Sequence, residues 1–106
     1  MAKYLVEANY VGDGVKGLLR EGGVSRRAAV EEALKTVGGS VDAFYYAFGE
    51  TDAYVIIDLP DNVAAAGLAL TIAASGTVTL RTTVLITPEE IDRAVKTSPG
   101  YRPPGQ

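Results

Sequence analysis

Six side chains in this sequence are of the types that small-molecule chemistry uses: Glu7, Asn9, Tyr46, Asp52, Tyr54 and Arg81. A guanidinium presents a directional fork of donors, so Arg81 suits a carboxylate or enolate oxygen. Glu7 or Asp52 becomes a usable base if partial burial raises its pKa. Tyr54 can donate to a developing oxyanion. The same residues also have a plainer use. A Glu7 or Asp52 carboxylate opposite Arg81 on a neighbouring strand forms a cross-strand pair worth about 0.2–1 kcal/mol, which helps set register. The residue types leave both uses open, and no catalytic residue is identified.

Composition removes several other classes of chemistry. The chain has no Cys and no His, so thiolate nucleophiles, disulfides, Cys-based metal sites and the usual near-neutral proton shuttle are excluded. The net charge is −3, with Lys and Arg dispersed and no basic stripe, which argues against a nucleic-acid partner. Gly12-Asp13-Gly14 lacks the spacing and the Lys-Ser/Thr ending of a phosphate loop. Glu89, Glu90 and Asp92 follow no calcium-loop pattern and suit a helix N-terminus instead. Arg26-Arg27 reads as a solvated helix pair, with anion contact as the lesser alternative. No metal and no cofactor are implied. The amino terminus runs straight into a strand pattern without the features of a secretion signal. The apolar stretch from Val63 to Ala74 is well short of the ~20 residues that span a bilayer. No membrane partner is expected, and the cytoplasm is the expected location.

The elements that must hold the six residues follow from hydrophobic period. With 106 residues there is room for one domain, assigned to residues 1–97, followed by a proline-rich tail at 98–106. Lys3 to Tyr10 alternates with period two, with Tyr4, Val6, Ala8 and Tyr10 on one side and Lys3, Leu5, Glu7 and Asn9 on the other. Val11 to Gly14 reads as a turn. Val15 to Val37 reads as helix, interrupted at Gly22-Gly23, with Ser25 expected to cap the second piece and Gly38-Gly39 to end it. Val41 to Gly49 is the second predicted strand, with Phe44, Tyr46 and Phe48 on one face and Val41, Ala43, Tyr45 and Ala47 on the other. Ala53 to Leu59 is the third strand, close enough to the second to form an antiparallel hairpin. Asp61 is the expected cap of a second helix running from Val63 to Ala74, and Val78 to Ile86 is the fourth strand. Thr87-Pro88-Glu89-Glu90 carries a cap, a first-turn proline and a capping-box glutamate, opening an extra short C-terminal helix to about Thr97.

This order is βαββαβ, an α+β, ferredoxin-like arrangement in which a four-stranded antiparallel sheet carries both helices on one face. Unbroken alternation places Phe44, Tyr46, Tyr54, Leu5 and Ile56 on the helix-free face together with Glu7, Asn9, Asp52 and Arg81. That face is expected to be an association surface, because contiguous exposed apolar patches above a few hundred Å² usually mark interfaces. A polar pocket with aromatic walls would then lie between two sheets. The second helix carries no charge on any side, which predicts burial all round and hence a further contact. The expected partners are a second copy of the chain, as a homodimer or higher homo-oligomer, and a small organic molecule.

Several segments also resemble the GYD family of small bacterial proteins. They are Gly14-Val15-Lys16-Gly17, Arg26-Arg27-Ala28, Gly38-Gly39, the stretch from Phe44 to Asp52, Leu59-Pro60-Asp61, and Thr82 to Leu85 ahead of Thr87-Pro88-Glu89-Glu90. The resemblance covers about Tyr4 to Glu90. Gly49 and Asp52 fall on the glycine and aspartate of the family motif, while Thr51 stands in the slot expected to hold tyrosine. The resemblance implies a fold similar to the dimeric α/β-barrel proteins. That broader group includes cofactor-free monooxygenases, small isomerases, haem enzymes and ligand-sensing modules, and a chain without His suits its haem branch poorly. Two functions follow from the sequence. One is an oligomeric small-molecule binder or cofactor-independent enzyme with its pocket on the helix-free face. The other is a structural or regulatory oligomerisation module without catalysis.

Overall fold

The computed structural model describes all residues from Met1 to Gln106. Its elements are β1 (Ala2–Tyr10), α1 (Asp13–Glu21), α2 (Gly23–Lys35), β2 (Ser40–Tyr46), β3 (Ala53–Leu59), α3 (Asn62–Ala74), β4 (Val78–Leu85) and α4 (Pro88–Thr97). The four strands form one antiparallel sheet in the order β2-β3-β1-β4.

Local chemistry explains most of the boundaries. The Asp61 side chain caps α3 by accepting from the Ala64 amide at 2.9 Å. Thr87 and Glu90 form a reciprocal capping box at the start of α4. Gly38 takes a φ of 78°, and the Gly39 amide returns to the Leu34 carbonyl at 2.8 Å, closing the C-terminal turn after α2. Two local expectations are corrected. Asp13 and Gly14 belong to α1 rather than to a turn, because the reversal is made at Gly12 alone, with φ of 52°. Ser25 does not cap the second helical piece. Gly22 occupies that position with φ of 84°, and Ser25 lies inside α2.

The core lies between the sheet and the helices. Ala53, Val55, Ile57 and Leu59 of β3 are buried, together with Tyr4 and Ala8 of β1, Leu34 of α2 and Ala65 of α3. The Tyr4 hydroxyl reaches Asn62 Oδ1 at 2.6 Å, so even this core tyrosine has a partner. α2 lies over β2, and α3 lies over β4 and the edge of β3.

The main departure from the expected pattern lies in β2. Register shifts between Val41, which pairs with Ile57, and Ala43, which pairs with Ile56. This bulge at Asp42 inverts the alternation downstream, since a one-residue slip turns each following side chain to the opposite face. Phe44 pairs with Val55 and Tyr46 with Ala53, so both lie on the helix side rather than on the helix-free face. Their rings sit 5.1 Å apart at 55°, as neighbours on one face. The strand also ends at Tyr46, short of the expected Gly49, and leaves Phe48 fully exposed in the connecting loop.

The molecule is elongated, with a radius of gyration of 16.9 Å and extents of 57 × 32 × 23 Å, against about 13 Å for a compact domain of this length. The reason lies at the C-terminus, where every residue from Ile86 to Gln106 is exposed. The outer side of α3 is uncovered as well, with Val63 80% and Leu70 72% exposed, so the expected burial of that helix all round does not occur within one chain.

Candidate functional site

Three of the six candidate side chains come together on the helix-free face. Register places Tyr45, Tyr54, Glu7 and Arg81 abreast across β2, β3, β1 and β4. Glu7 Oε1 and Arg81 Nη2 are 3.2 Å apart, with the Glu7 side chain 22% and the Arg81 side chain 70% exposed. The adjacent row, Ala43-Ile56-Leu5-Thr83, is mostly apolar. Beyond it, the Lys3 ammonium bridges Asp42 at 2.9 Å and Asp58 at 3.0 Å. The hydrogen bonds it donates to both carboxylates hold the Lys3 pKa above its ordinary value. The face is therefore an apolar band between two charged rows.

Asn9 and Asp52 are committed to the backbone where β3 begins. Asn9 Oδ1 accepts from the Asp52 amide at 2.9 Å, and Asp52 Oδ2 accepts from the Tyr10 amide at 3.0 Å. β3 starts only at Ala53, so the Tyr10 amide lies beyond the end of the β1–β3 ladder, and the Asp52 carboxylate takes the place of a strand carbonyl. Thr51, next to it, is 2% exposed and faces inward.

Tyr46 is the candidate that the sheet places elsewhere. Its hydroxyl donates to the Gly23 carbonyl at 3.0 Å, fixing the first residue of α2 over β2. Burial first, and then the neighbouring Tyr10, push its pKa up to about 12, against the opposing influence of Arg26 and Arg27. At neutral pH Tyr46 is a proton donor and not a phenolate base.

The helix side also holds a feature absent from the expected site. α2 and α3 sit over opposite flanks of the sheet, and between them lies a furrow with a cavity of about 140 Å³. Ala29 and Ala33 line one wall, Ala65 and Ala69 the other, and Val6 and Leu80 belong to the floor. Alanines interrupt both walls between larger side chains, Val30 and Leu34 on α2 and Leu68 and Ile72 on α3. Val6 and Leu80 are accordingly only partly buried, although they lie beneath helices. The lining is overwhelmingly hydrophobic and includes Arg26 and Tyr10. A second, more polar hollow against α1 shares Tyr10, Arg26 and Val78 with the furrow and also touches Glu21 and Gly17. Arg26 itself is held loosely, with Nη1 3.6 Å from Glu21 Oε2. The sequence signal for this cavity was the small-residue apolar face of α2. That signal does not announce a cavity, because the separation of two helices is not encoded in the period of either one.

No group of His, Cys, Asp and Glu side chains is arranged to hold a metal ion. No helix is long and apolar enough to cross a membrane. The family model described as GYD domain matches residues 4–95 of the chain. Neither the curated proteins nor the solved structures contain a match.

Proposed function

The chain belongs to the GYD domain family, and from that premise we propose that it works as a homo-oligomer joined through the helix-free face of its sheet, in a dimeric α/β-barrel-like arrangement. The observation that carries this reading is the apolar band Ala43-Ile56-Leu5, with Tyr45 and Tyr54 beside it, which no segment of the chain covers. Two such bands placed face to face would remove their apolar atoms from water, a gain of about 25 cal/mol per Å². The charged rows on either side would stay at the rim, where ion pairs retain solvent.

The row Tyr54-Glu7-Arg81, at the rim of that interface, would meet a small organic molecule where the two sheets part. The role is binding or assembly rather than turnover. The Glu7 carboxylate faces Arg81, and that of Asp52 accepts a backbone amide, so both act as positioned acceptors.

Light scattering on the purified chain tests the assembly. The wild-type protein elutes as a dimer or larger species, and Ile56→Asp, which places a charge in the middle of the band, elutes as a folded monomer. A wild-type chain that is monomeric at working concentration ends this reading.

A further inference from the structure

We infer that the furrow between α2 and α3 is a binding site for a small carboxylate with an apolar, ring-sized body, anchored at Arg26. The inference concerns the opposite side of the sheet and does not depend on the assembly proposed above.

Size comes first. An engineered cavity of about 150 Å³ with apolar walls stays dry and takes up benzene. The furrow, at about 140 Å³, offers the same room and comparable walls. Being partly open to solvent, it can admit a ring without the chain unfolding, whereas water gains little there because the apolar walls give it few partners.

Polarity then sets the orientation. One end is marked by Arg26 and Tyr10, which belong to both the apolar furrow and the polar hollow beside α1; the other polar side chain of the lining, Thr82, is uncharged and lies opposite Val6. A molecule lying along the furrow would therefore have its body among Ala29, Ala69 and Val6 and its head at Arg26. The arginine has donors to spare, since its contact with Glu21 is a single one of 3.6 Å, longer than a hydrogen bond. A guanidinium prefers a carboxylate, which it can engage through two parallel donors. Tyr46 stands close enough to influence the same guanidinium and keeps its proton, so it adds no negative charge to this end. The ligand class is an arylalkyl or short branched-chain monocarboxylate.

Three probes with one shared body test this on the full-length chain: 3-phenylpropionate, 3-phenylpropan-1-ol and 3-phenylpropylamine, titrated by calorimetry and by amide chemical shifts. The carboxylate should bind at least tenfold more tightly than either analogue, shifting amides of α2 and α3. Arg26→Gln should remove that tenfold preference while the alcohol binds as before. Ala69→Leu, which fills the furrow with the chain still folded by circular dichroism, should abolish binding of all three. If Ala69→Leu does not fold, Ala29→Leu on the facing wall carries the same expectation. Absence of binding by every probe, equal binding of acid and alcohol, preference for the amine, or retention of binding in a folded filled variant would each overturn the assignment. Light scattering on Ile56→Asp keeps the two proposals apart, because a monomeric variant that still binds the carboxylate supports the furrow whatever becomes of the assembly.

Discussion

Tyr46 and Gly23 are matched as a pair: the tyrosine hydroxyl donates to the glycine carbonyl at 3.0 Å, and its ring occupies the space that a side chain on residue 23 would need. A Cβ built at Gly23 would stand 2.9 Å from Tyr46 Cε2. Replacing a helical glycine by alanine ordinarily gains up to about 1 kcal/mol. Here Gly23→Ala must displace the ring, and we expect a net loss of about 1 kcal/mol, the worth of an ordinary hydrogen bond. In a Tyr46→Ala background the same change should become stabilising. A double-mutant cycle in urea measures the coupling, and additive effects would refute the pairing.

The Tyr46 hydroxyl also sets an alkaline limit. A pKa raised to about 12 in the folded chain means that its contribution to stability is complete below the ordinary tyrosine value of 10 and is lost as pH rises through the folded value. Denaturant midpoints should therefore fall between pH 10 and about 12 in the wild type. In Tyr46→Phe that part of the decline should be absent.

Asp52 is expected to be structural first. Asp52→Ala leaves the Tyr10 amide without its acceptor, at a cost of about 1–3 kcal/mol. Asp52→Asn keeps a side-chain oxygen and should recover most of the loss. Equal destabilisation by Ala and Asn would show that charge, rather than the acceptor, matters.

Gly14 tolerates no side chain. It is buried, and a Cβ there would overlap the Thr77 carbonyl oxygen, which already accepts from the Val11 amide at 3.0 Å. Because the obstruction is backbone, no rotamer relieves it. Gly14→Ala should cost several kcal/mol, in the range of severe overpacking. Gly67→Ala, with open space around the glycine, should be neutral or stabilising by up to about 1 kcal/mol.

The acid response should be local to α4. The Thr87 backbone and side chain hold the Glu90 pKa below its ordinary value. A depressed folded pKa gives a contribution that is present above the unfolded value, near 4.3, and is lost as pH falls through the folded one. Amide exchange at Ile91 and Val95 should quicken below that range, and Glu90→Gln should flatten the response.

Much of the architecture was legible in the sequence because caps and periods are local. Asp61 and the Thr87–Glu90 box announce their helices within four residues, and β3 states its buried face through Ala53, Val55, Ile57 and Leu59. The placement of Glu7, Tyr54 and Arg81 on one face followed from alternation within their strands. What failed was non-local or required an exact count. Tyr46 was assigned to the wrong face because alternation was carried unbroken through Asp42. The furrow went unseen because it depends on how far apart two helices settle over one sheet.

The extra residue at Asp42 has a genetic corollary. Val41 and Ala43 already oppose adjacent residues of β3, so the residue between them is the one in β2 without a cross-strand partner. Loss of that single codon would leave a regular ladder in which Phe44 and Tyr46 keep their place on the helix side, and would remove the ion pair from Lys3 to Asp42. Surviving descendants of this gene should therefore tolerate both substitution and loss at position 42.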